Sequence, residues 1–183
     1  MKSQLKIRPI WVIALSTLLS WQAKSQSIRA AIQTFNGNYL TALYGGGIGG
    51  PASGPGLVAL HTDATRAQSW EKFIVHWVNV DHSGFGLQTL SGYYITAVNG
   101  GGIAGLPDVI LPIRSNAVKI GPNEIFTFNF FYENGQTMVT IQTANGNYLT
   151  AVNMGGVGGG FNDPVHSDSR RLDAWETFSL VRQ

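Results

Sequence analysis

The heptapeptide Asn36-Gly37-Asn38-Tyr39-Leu40-Thr41-Ala42 occurs in three versions along this chain. It returns as Ser91-Gly92-Tyr93-Tyr94-Ile95-Thr96-Ala97 and again as Asn145-Gly146-Asn147-Tyr148-Leu149-Thr150-Ala151. The copies are 55 and 54 residues apart. A fixed period of this length indicates a repeated structural unit, so it constrains the architecture before any single residue is interpreted.

Each copy predicts a β-hairpin. A short apolar run leads into Asn-Gly or Ser-Gly, and a second run rich in β-forming residues follows. Asn-Gly readily takes the positive φ values of a tight turn, so the two runs fold back antiparallel. A glycine cluster comes next, and a further β-forming run closes each unit, at residues 70–75, 123–128 and 175–180. The chain therefore contains three copies of one β unit.

The first 25 residues have the pattern of a signal peptide. Lys2, Lys6 and Arg8 precede an apolar run, and Ala23-Lys24-Ser25 fits a cleavage site. We expect cleavage near Ser25/Gln26 and a secreted protein, either extracellular or periplasmic. A retained N-terminal anchor is the alternative, although the apolar run is short for a bilayer span.

Charge and cysteine content narrow the function classes. Four of the twelve Lys and Arg lie in the predicted leader, so residues 26–183 keep eight basic against ten acidic residues, a net charge of about −2. A nucleic-acid binder needs a basic surface to neutralise phosphates, so no nucleic-acid partner is expected. The chain has no cysteine, which excludes thiol catalysis and cysteine-ligated zinc.

The repeat count predicts an all-β fold of β-trefoil type. Three units of about 53 residues have room for four strands each, and a propeller usually needs at least four blades. Three such units around a pseudo-threefold axis form a short barrel capped by three hairpins; a β-prism of three sheets is the alternative. We expect a single domain over 26–183, with repeats of about 28–82, 83–136 and 137–183, and a monomer without a membrane contact in its mature form.

Alternation within the strands predicts the core. Inward positions are Leu40, Ala42, Phe73 and Val75 in the first unit, Ile95, Ala97, Phe126 and Phe128 in the second, and Leu149, Ala151, Phe178 and Leu180 in the third. Trp70 and Trp175 are also expected in the core. Asn123 replaces tryptophan in the middle unit, and the space is expected to be filled from Phe130, Phe131 or Tyr132.

The combined pattern resembles the fascin-like β-trefoil domain. It consists of Asn/Ser-Gly-x-Tyr-Leu/Ile-Thr-Ala, a glycine-rich loop and Trp-Glu-x-Phe, and it extends from about residue 28 to 183. That family includes actin-bundling fascins and exported bacterial proteins, often beside carbohydrate-active domains. The resemblance implies the trefoil fold, which hosts lectins, cytokines, inhibitors and cytoskeletal modules. The Gln-x-Trp signature of ricin-type trefoil lectins is missing, so their sugar-binding residues have no counterparts here.

A second recurring set predicts a ligand site. The strand after each glycine cluster carries a basic or His residue, then Asp or Asn, then Arg or Lys: His61, Asp63, Arg66; Arg114, Asn116, Lys119; and His166, Asp168, Arg171. Residues two apart on a strand share a face, so these groups offer donors and acceptors to sugar hydroxyls. The structural alternative is that the Asp caps a turn while the Arg covers the Trp or a carbonyl. Tyr44, Trp77, Tyr93 and Phe161 are further candidates for stacking on sugar rings.

Other chemistries are disfavoured. The matches to G-x-G-x-x-G at 45–50 and 100–105 are not followed by a helix pattern, so no nucleotide cofactor is expected. A metal site needs a third ligand, and no serine lies on a nucleophile elbow. Glu71, Glu124 and Glu176 recur once per unit, and we expect them to accept backbone N–H bonds rather than act as a glycosidase pair.

The sequence thus predicts a secreted, non-catalytic carbohydrate-binding protein with up to three similar shallow pockets. Several weak sites on one rigid body give avidity for a polysaccharide. A protein-interaction module of the fascin type is the second hypothesis, and a glycan-active enzyme is the third.

Overall fold

The computed structural model describes residues 27–49, 58–79, 83–104, 111–133, 135–158 and 164–183. The predicted signal peptide therefore lies outside the described residues, as does the loop at 51–56. Within the described ranges the first unit contains β1 (Ser27–Thr34), β2 (Tyr39–Ala42), β3 (Leu60–Ala64) and β4 (Lys72–Trp77). The second contains β5 (Phe85–Thr89), β6 (Tyr94–Ala97), β7 (Ile113–Ala117) and β8 (Ile125–Glu133). The third contains β9 (Gln136–Gln142), β10 (Tyr148–Ala151), β11 (Val165–Ser169) and β12 (Thr177–Arg182).

The helical elements in these ranges are single 3-10 turns. They span Leu43–Gly45, Val98–Gly100, Pro122–Glu124, Val152–Met154 and Ala174–Glu176. No helix in the described part of the chain is long and apolar enough to cross a membrane.

Six of the strands close into a barrel. They pair antiparallel in the order β1, β4, β5, β8, β9 and β12, and β12 returns to β1. The other six form the hairpins β2–β3, β6–β7 and β10–β11, one from each unit. Each hairpin joins the barrel through the strand that precedes it in sequence. This is the β-trefoil architecture, so the predicted fold is confirmed and the β-prism alternative is wrong.

The barrel interior is filled from equivalent positions of the three units. Strand alternation predicted this set, and the structure buries Leu40, Ala42, Phe73, Val75, Ile95, Ala97, Phe126, Phe128, Leu149, Ala151 and Phe178. Leu180 lies at the margin, partly buried against the same cluster. Each fully buried phenylalanine contributes about 1.5–3 kcal/mol to stability. The recurrent apolar residues therefore specify the rigid part of the molecule.

The expectation that Trp70 and Trp175 belong to the core is wrong. Their side chains are 44% and 39% exposed. Both lie on the turn before the closing strand rather than on the strand itself. The adjacent Glu71 and Glu176 are the buried residues of this motif. Because the carboxylates take the inward positions, the neighbouring indoles are left at the surface.

The three recurring glutamates have the structural role that was predicted for them. Glu124 Oε2 accepts a hydrogen bond from the Gly121 N–H at 2.8 Å, and its Oε1 accepts one from Thr96 Oγ1 at 2.7 Å. Glu71 and Glu176 accept equivalent backbone bonds at 2.7 and 3.0 Å. A buried carboxylate is stable only when hydrogen bonds satisfy it, so these residues hold the turn before each closing strand.

The middle unit does not need a residue to replace tryptophan. Asn123 occupies the equivalent surface position and is exposed. Phe130, Phe131 and Tyr132, expected to fill a space in the core, are exposed as well. They lie on the part of β8 beyond Phe128, the last core residue on that strand. The expectation failed because the tryptophan position is outside the core in every unit.

The glycine clusters are sharp bends of one conformation. Each contains four consecutive residues with positive φ, at 44–47, 99–102 and 153–156, with values between 55° and 107°. Glycine is favoured here because it has no Cβ to clash in this region. In the described residues, the next element after each cluster is a β-strand, β3, β7 or β11.

Each glycine cluster also contacts the next unit around the pseudo-threefold axis. The Ser115 N–H of β7 donates to Ile48 O at 2.8 Å, and Gly156 N–H donates to Thr62 O of β3 at 2.7 Å. The glycine cluster of the second unit forms backbone hydrogen bonds of the same kind with β11 of the third unit. The three units are therefore connected in a closed ring, and the bends lie where the units meet.

Candidate functional site

An exposed aromatic pair lies on the first unit. Tyr44 is 64% exposed and meets Trp70 with ring centroids 5.9 Å apart and planes inclined by 83°. Buried rings usually supply core packing, whereas exposed rings on a rigid scaffold are available to a ligand. Among the large hydrophobic residues described in that unit, Tyr44 is the most exposed.

The backbone of the glycine cluster positions both rings. A Cβ built on Gly45 would lie 3.4 Å from Trp70 Cδ1 and 2.8 Å from Ser91 Oγ, so the backbone at Gly45 passes close to the indole ring. Tyr44 has a φ of 55°, in the left-handed region that asparagine tolerates better than tyrosine. The other units have Asn99 and Asn153 at this point. Tyr44 therefore departs from the repeat in both residue type and backbone cost.

Polar groups surround the indole of Trp70. Arg66, Gln68, Ser69 and Trp70 line a shallow depression of about 390 Å³. Arg66 and Gln68 are exposed, so a guanidinium and an amide are available there beside an aromatic ring. An aromatic surface with a few polar groups around it is the usual composition of a small-ligand site.

The third unit repeats this arrangement with different neighbours. Trp175 is exposed at the position of Trp70, and Met154 stands where the first unit has Gly45. The Asn36 N–H from the hairpin of the first unit donates to Met154 O at 3.3 Å. The glycine cluster of the third unit therefore contacts the β1–β2 turn of the first unit.

The second unit lacks the aromatic part. Asn123 and Asn99 occupy the positions of Trp70 and Tyr44, and both are exposed. Asn123 Oδ1 would lie 3.7 Å from a Cβ on Gly100. Asn123 therefore lies beside Gly100 as Trp70 lies beside Gly45 in the first unit. Two of the three equivalent surfaces thus carry tryptophan, and the other one is polar.

The structure brings the predicted His and Asp residues together. The Nδ1 atom of His61 is hydrogen-bonded to Asp63 Oδ1, and His166 bonds Asp168 in the same way. The imidazoles are largely buried, while the carboxylates are partly exposed. Each carboxylate is thus held in place by a histidine.

Two of the predicted side chains, Asp63 and Asn116, also lie at junctions between units. A Cβ on Gly158 would approach Asp63 Oδ2 to 2.7 Å, and a Cβ on Gly49 would collide with Asn116. Gly49 and Gly158 belong to the glycine clusters whose backbones hydrogen-bond to β7 and β3, respectively. The Asp and Asn side chains therefore pack against the loop of a neighbouring unit, a role beyond turn capping.

The remaining predicted residues are spread over the surface. Arg66, Lys119 and Arg171 are exposed, and Arg66 alone of these lines a depression that is described. Arg114 is partly buried, and its Nε has no hydrogen-bond partner among the described residues. Of the other aromatic candidates, Trp77 and Tyr93 are half-buried, and Phe161 lies outside the described residues.

Sequence reasoning missed the ligand-accessible position of the tryptophans. The sequence pattern places the Trp of Trp-Glu-x-Phe in the core and identifies Tyr44 only as one of several scattered aromatic candidates. The spacing within the motif contained the necessary information. Glu71 and Phe73 are two residues apart, so in an extended chain they share the inward face, and Trp70 lies on the outward face.

Among the described residues, no group of three or more His, Cys, Asp or Glu side chains is placed to hold a metal ion. Two of the three recurring glutamates are bonded to a threonine hydroxyl as well as to a backbone N–H. What the described surface offers is aromatic rings, a guanidinium and histidine-held carboxylates, which suit reversible binding.

No family model and no curated protein matches this sequence. Solved structures match the fold at low identity. A designed threefold-symmetric protein, ThreeFoil, aligns with a TM-score of 0.59 and 13% identity, over 85% of this chain and 99% of that chain. The Rhizoctonia solani agglutinin aligns with a TM-score of 0.56 and 11% identity, over 86% and 96%.

The Polyporus squamosus lectin also aligns, with a TM-score of 0.55 and 11% identity, over 84% of this chain and 48% of that chain. Its structure holds the epitope Neu5Acα2-6Galβ1-4GlcNAc. At these identities the similarity establishes the β-trefoil fold alone.

Proposed function

We propose that this protein is a secreted, non-catalytic carbohydrate-binding module of lectin type that recognises a polysaccharide or glycan through shallow surface pockets. One observation carries the proposal: Trp70 and Trp175 are exposed at equivalent positions, and Trp70 has Tyr44 and Arg66 beside it. The fascin-like resemblance of the sequence is compatible with this role, since the trefoil scaffold accommodates many ligands.

The proposed contacts follow from sugar chemistry. A pyranose ring has an apolar face of C–H groups that stacks on an indole, and its hydroxyls are donors and acceptors for Arg66 and Gln68. The polar positions of the repeat, His61–Asp63 and His166–Asp168, provide further acceptors because histidine orients each carboxylate. Arg114, Asn116, Lys119 and Arg171 complete the candidate set of polar contacts.

Two tryptophan surfaces on one barrel favour a polymeric ligand. The depression beside Trp70 is shallow, and a single stacked sugar contributes little affinity when it stays largely hydrated. Repeated sites on a rigid body raise the overall affinity for a repeating ligand by effective concentration. The agglutinin and the lectin that share the fold are named for this kind of activity, which adds support.

Binding without catalysis is part of the proposal. The recurring glutamates are buried in structural hydrogen bonds, so they are poorly placed to protonate a glycosidic oxygen. Export through the leader at 1–25 would bring the module to extracellular or periplasmic glycans.

A pull-down on insoluble polysaccharides, combined with a glycan array, tests the proposal. Saturable binding to one glycan class, without release of new reducing ends, is the expected result. The fascin-type interaction module would be favoured instead if no glycan in a broad panel bound and the same pull-down format captured a discrete complex with a protein.

A further inference from the structure

A second groove lies between the β8–β9 hairpin and the third unit. Its walls carry Phe35 from the β1–β2 turn, Phe131 from β8 and Leu172 from the turn before β12. All three side chains are exposed. The groove encloses about 440 Å³, a volume in the range of small-ligand sites. It is distinct from the depression beside Trp70, which none of these residues lines.

The groove is acidic as well as apolar. Glu133 and Asp173 line it, and its lining contains no Lys or Arg. Glu133 forms no ion pair among the described residues, whose ion pairs are those of His61 and His166. Asp173 Oδ1 accepts the Ala174 N–H at 2.8 Å, so this carboxylate is fixed in place. Aromatic rings next to unpaired carboxylates attract an organic cation.

An unsatisfied hydroxyl belongs to the same lining. Thr140 of β9 is 2% exposed, and its Oγ1 has no hydrogen-bond partner among the described residues. Its neighbours Val139 and Ile141 point into the core, so Thr140 faces outward on the face it shares with Phe131 and Glu133. A buried polar group without a partner is destabilising, and a ligand hydroxyl would relieve that cost.

We infer that this groove binds an amino sugar with a free amine, as one unit of the glycan that the protein recognises. The inference rests on the proposed carbohydrate function and adds a second subsite that prefers a sugar with a free amine. The pyranose C–H face packs against Phe35 and Phe131, the ammonium group pairs with Glu133, and a sugar hydroxyl bonds Thr140.

The chemistry of the groove favours a sugar over a peptide strand. Peptides that bind β proteins in extended form usually need an unpaired strand edge for their backbone hydrogen bonds. The strand at the base of this groove, β9, pairs with β8 on one side and with β12 on the other. A compact ligand that uses side-chain contacts alone fits this surface better.

Calorimetric titration at mildly acidic pH tests the inference with two probes, an oligomer of glucosamine and the matching oligomer of N-acetylglucosamine. We expect the purified protein to bind the free-amine oligomer about tenfold more tightly. Glu133→Gln should abolish this preference, and Glu133→Asp should retain part of it. Phe131→Ala should weaken binding, whereas Tyr132→Ala, an exposed ring on the opposite face of the same hairpin, should not.

The possible results separate this inference from the proposed function. Equal affinity for the two oligomers, or a preference that survives Glu133→Gln, overturns the inference, as does Glu133-dependent binding of a lysine-rich peptide instead of the oligomer. Trp70→Ala with neutral glycans tests the proposed function alone. Trp70-dependent binding of neutral glycans, together with equal affinity for the two oligomers, would leave the proposed function standing without this subsite.

Discussion

The ring of Tyr44 meets the ring of Trp70 edge to face, with centroids 5.9 Å apart. Tyr44 belongs to the glycine cluster after β2, and Trp70 to the turn before β4, so the contact joins two segments of one unit at the surface. Such pairs contribute about 0.5–1.5 kcal/mol beyond burial. The left-handed backbone of Tyr44 opposes that gain, so the pair adds little net stability, as expected if its proposed role is ligand contact.

Replacing Tyr44 with asparagine, the residue at this position in the other two units, separates its effect on stability from its effect on binding. Tyr44→Asn should leave the free energy of unfolding unchanged or raise it by about 0.5–1 kcal/mol, because asparagine tolerates the left-handed region. Glycan affinity should fall several-fold because the ring is lost. Urea unfolding and calorimetric titration measure the two quantities. A stability loss above about 2 kcal/mol with unchanged affinity would assign Tyr44 to the scaffold instead.

The glycine clusters should be intolerant to side chains. At Gly155, with φ of 106° and ψ of −176°, a Cβ would collide with Thr34, the last residue of β1 in the first unit. Gly155→Ala should therefore cost about 1–3 kcal/mol for a backbone conformation that essentially only glycine adopts, and a further 1–3 kcal/mol for overpacking. Gly92→Ala is the matched control, since Gly92 has a φ of 93° with nothing within 4 Å of its Cβ. Equal losses of unfolding free energy would show that the close approach is unimportant.

The buried glutamates should matter for stability. Glu176→Ala leaves Thr150 Oγ1 and the Asp173 N–H without an acceptor, so it should cost about 2–4 kcal/mol. Glu133→Ala, at an exposed position of β8, should stay within about 0.5 kcal/mol of the wild type. Denaturant unfolding compares the two. A small effect of Glu176→Ala would contradict its role in holding the turn before β12.

The histidine-held carboxylates should act on binding more than on stability. Asp63 is partly exposed, and a hydrogen-bonded pair at the surface contributes at most about 1 kcal/mol. Asp63→Ala and Asp168→Ala should thus weaken glycan binding several-fold while the melting temperature changes little. Destabilisation by several kcal/mol with intact binding would mean that these residues only connect the units.

Much of the fold could be predicted from sequence because its determinants are local and repeated. The period of the Asn-Gly-x-Tyr motif gave the three units, and alternation identified Leu40 and Phe73 as core residues, which the structure confirms. These predictions needed only the turn chemistry of the hairpins and the two-residue period of strands.

The candidate site was harder to predict because it depends on which residue of a turn is buried. Glu71 takes the inward position and the adjacent Trp70 is exposed. The usual burial preferences of the two residue types favour the reverse, with the indole buried and the carboxylate exposed. The contacts between units, such as that of Asp63 with the loop at Gly158, join residues 95 positions apart. Local pattern contains no information about such a contact.

The central claim is that the exposed tryptophans bind carbohydrate, and the most direct measurement is retention of Trp70→Ala/Trp175→Ala on the polysaccharide that retains the wild type. We expect at least a tenfold loss of affinity with little change in melting temperature, because both indoles are exposed. Tyr132→Ala, an exposed ring outside both tryptophan surfaces, serves as the control and should bind normally. Undiminished binding by a folded double variant would contradict the account.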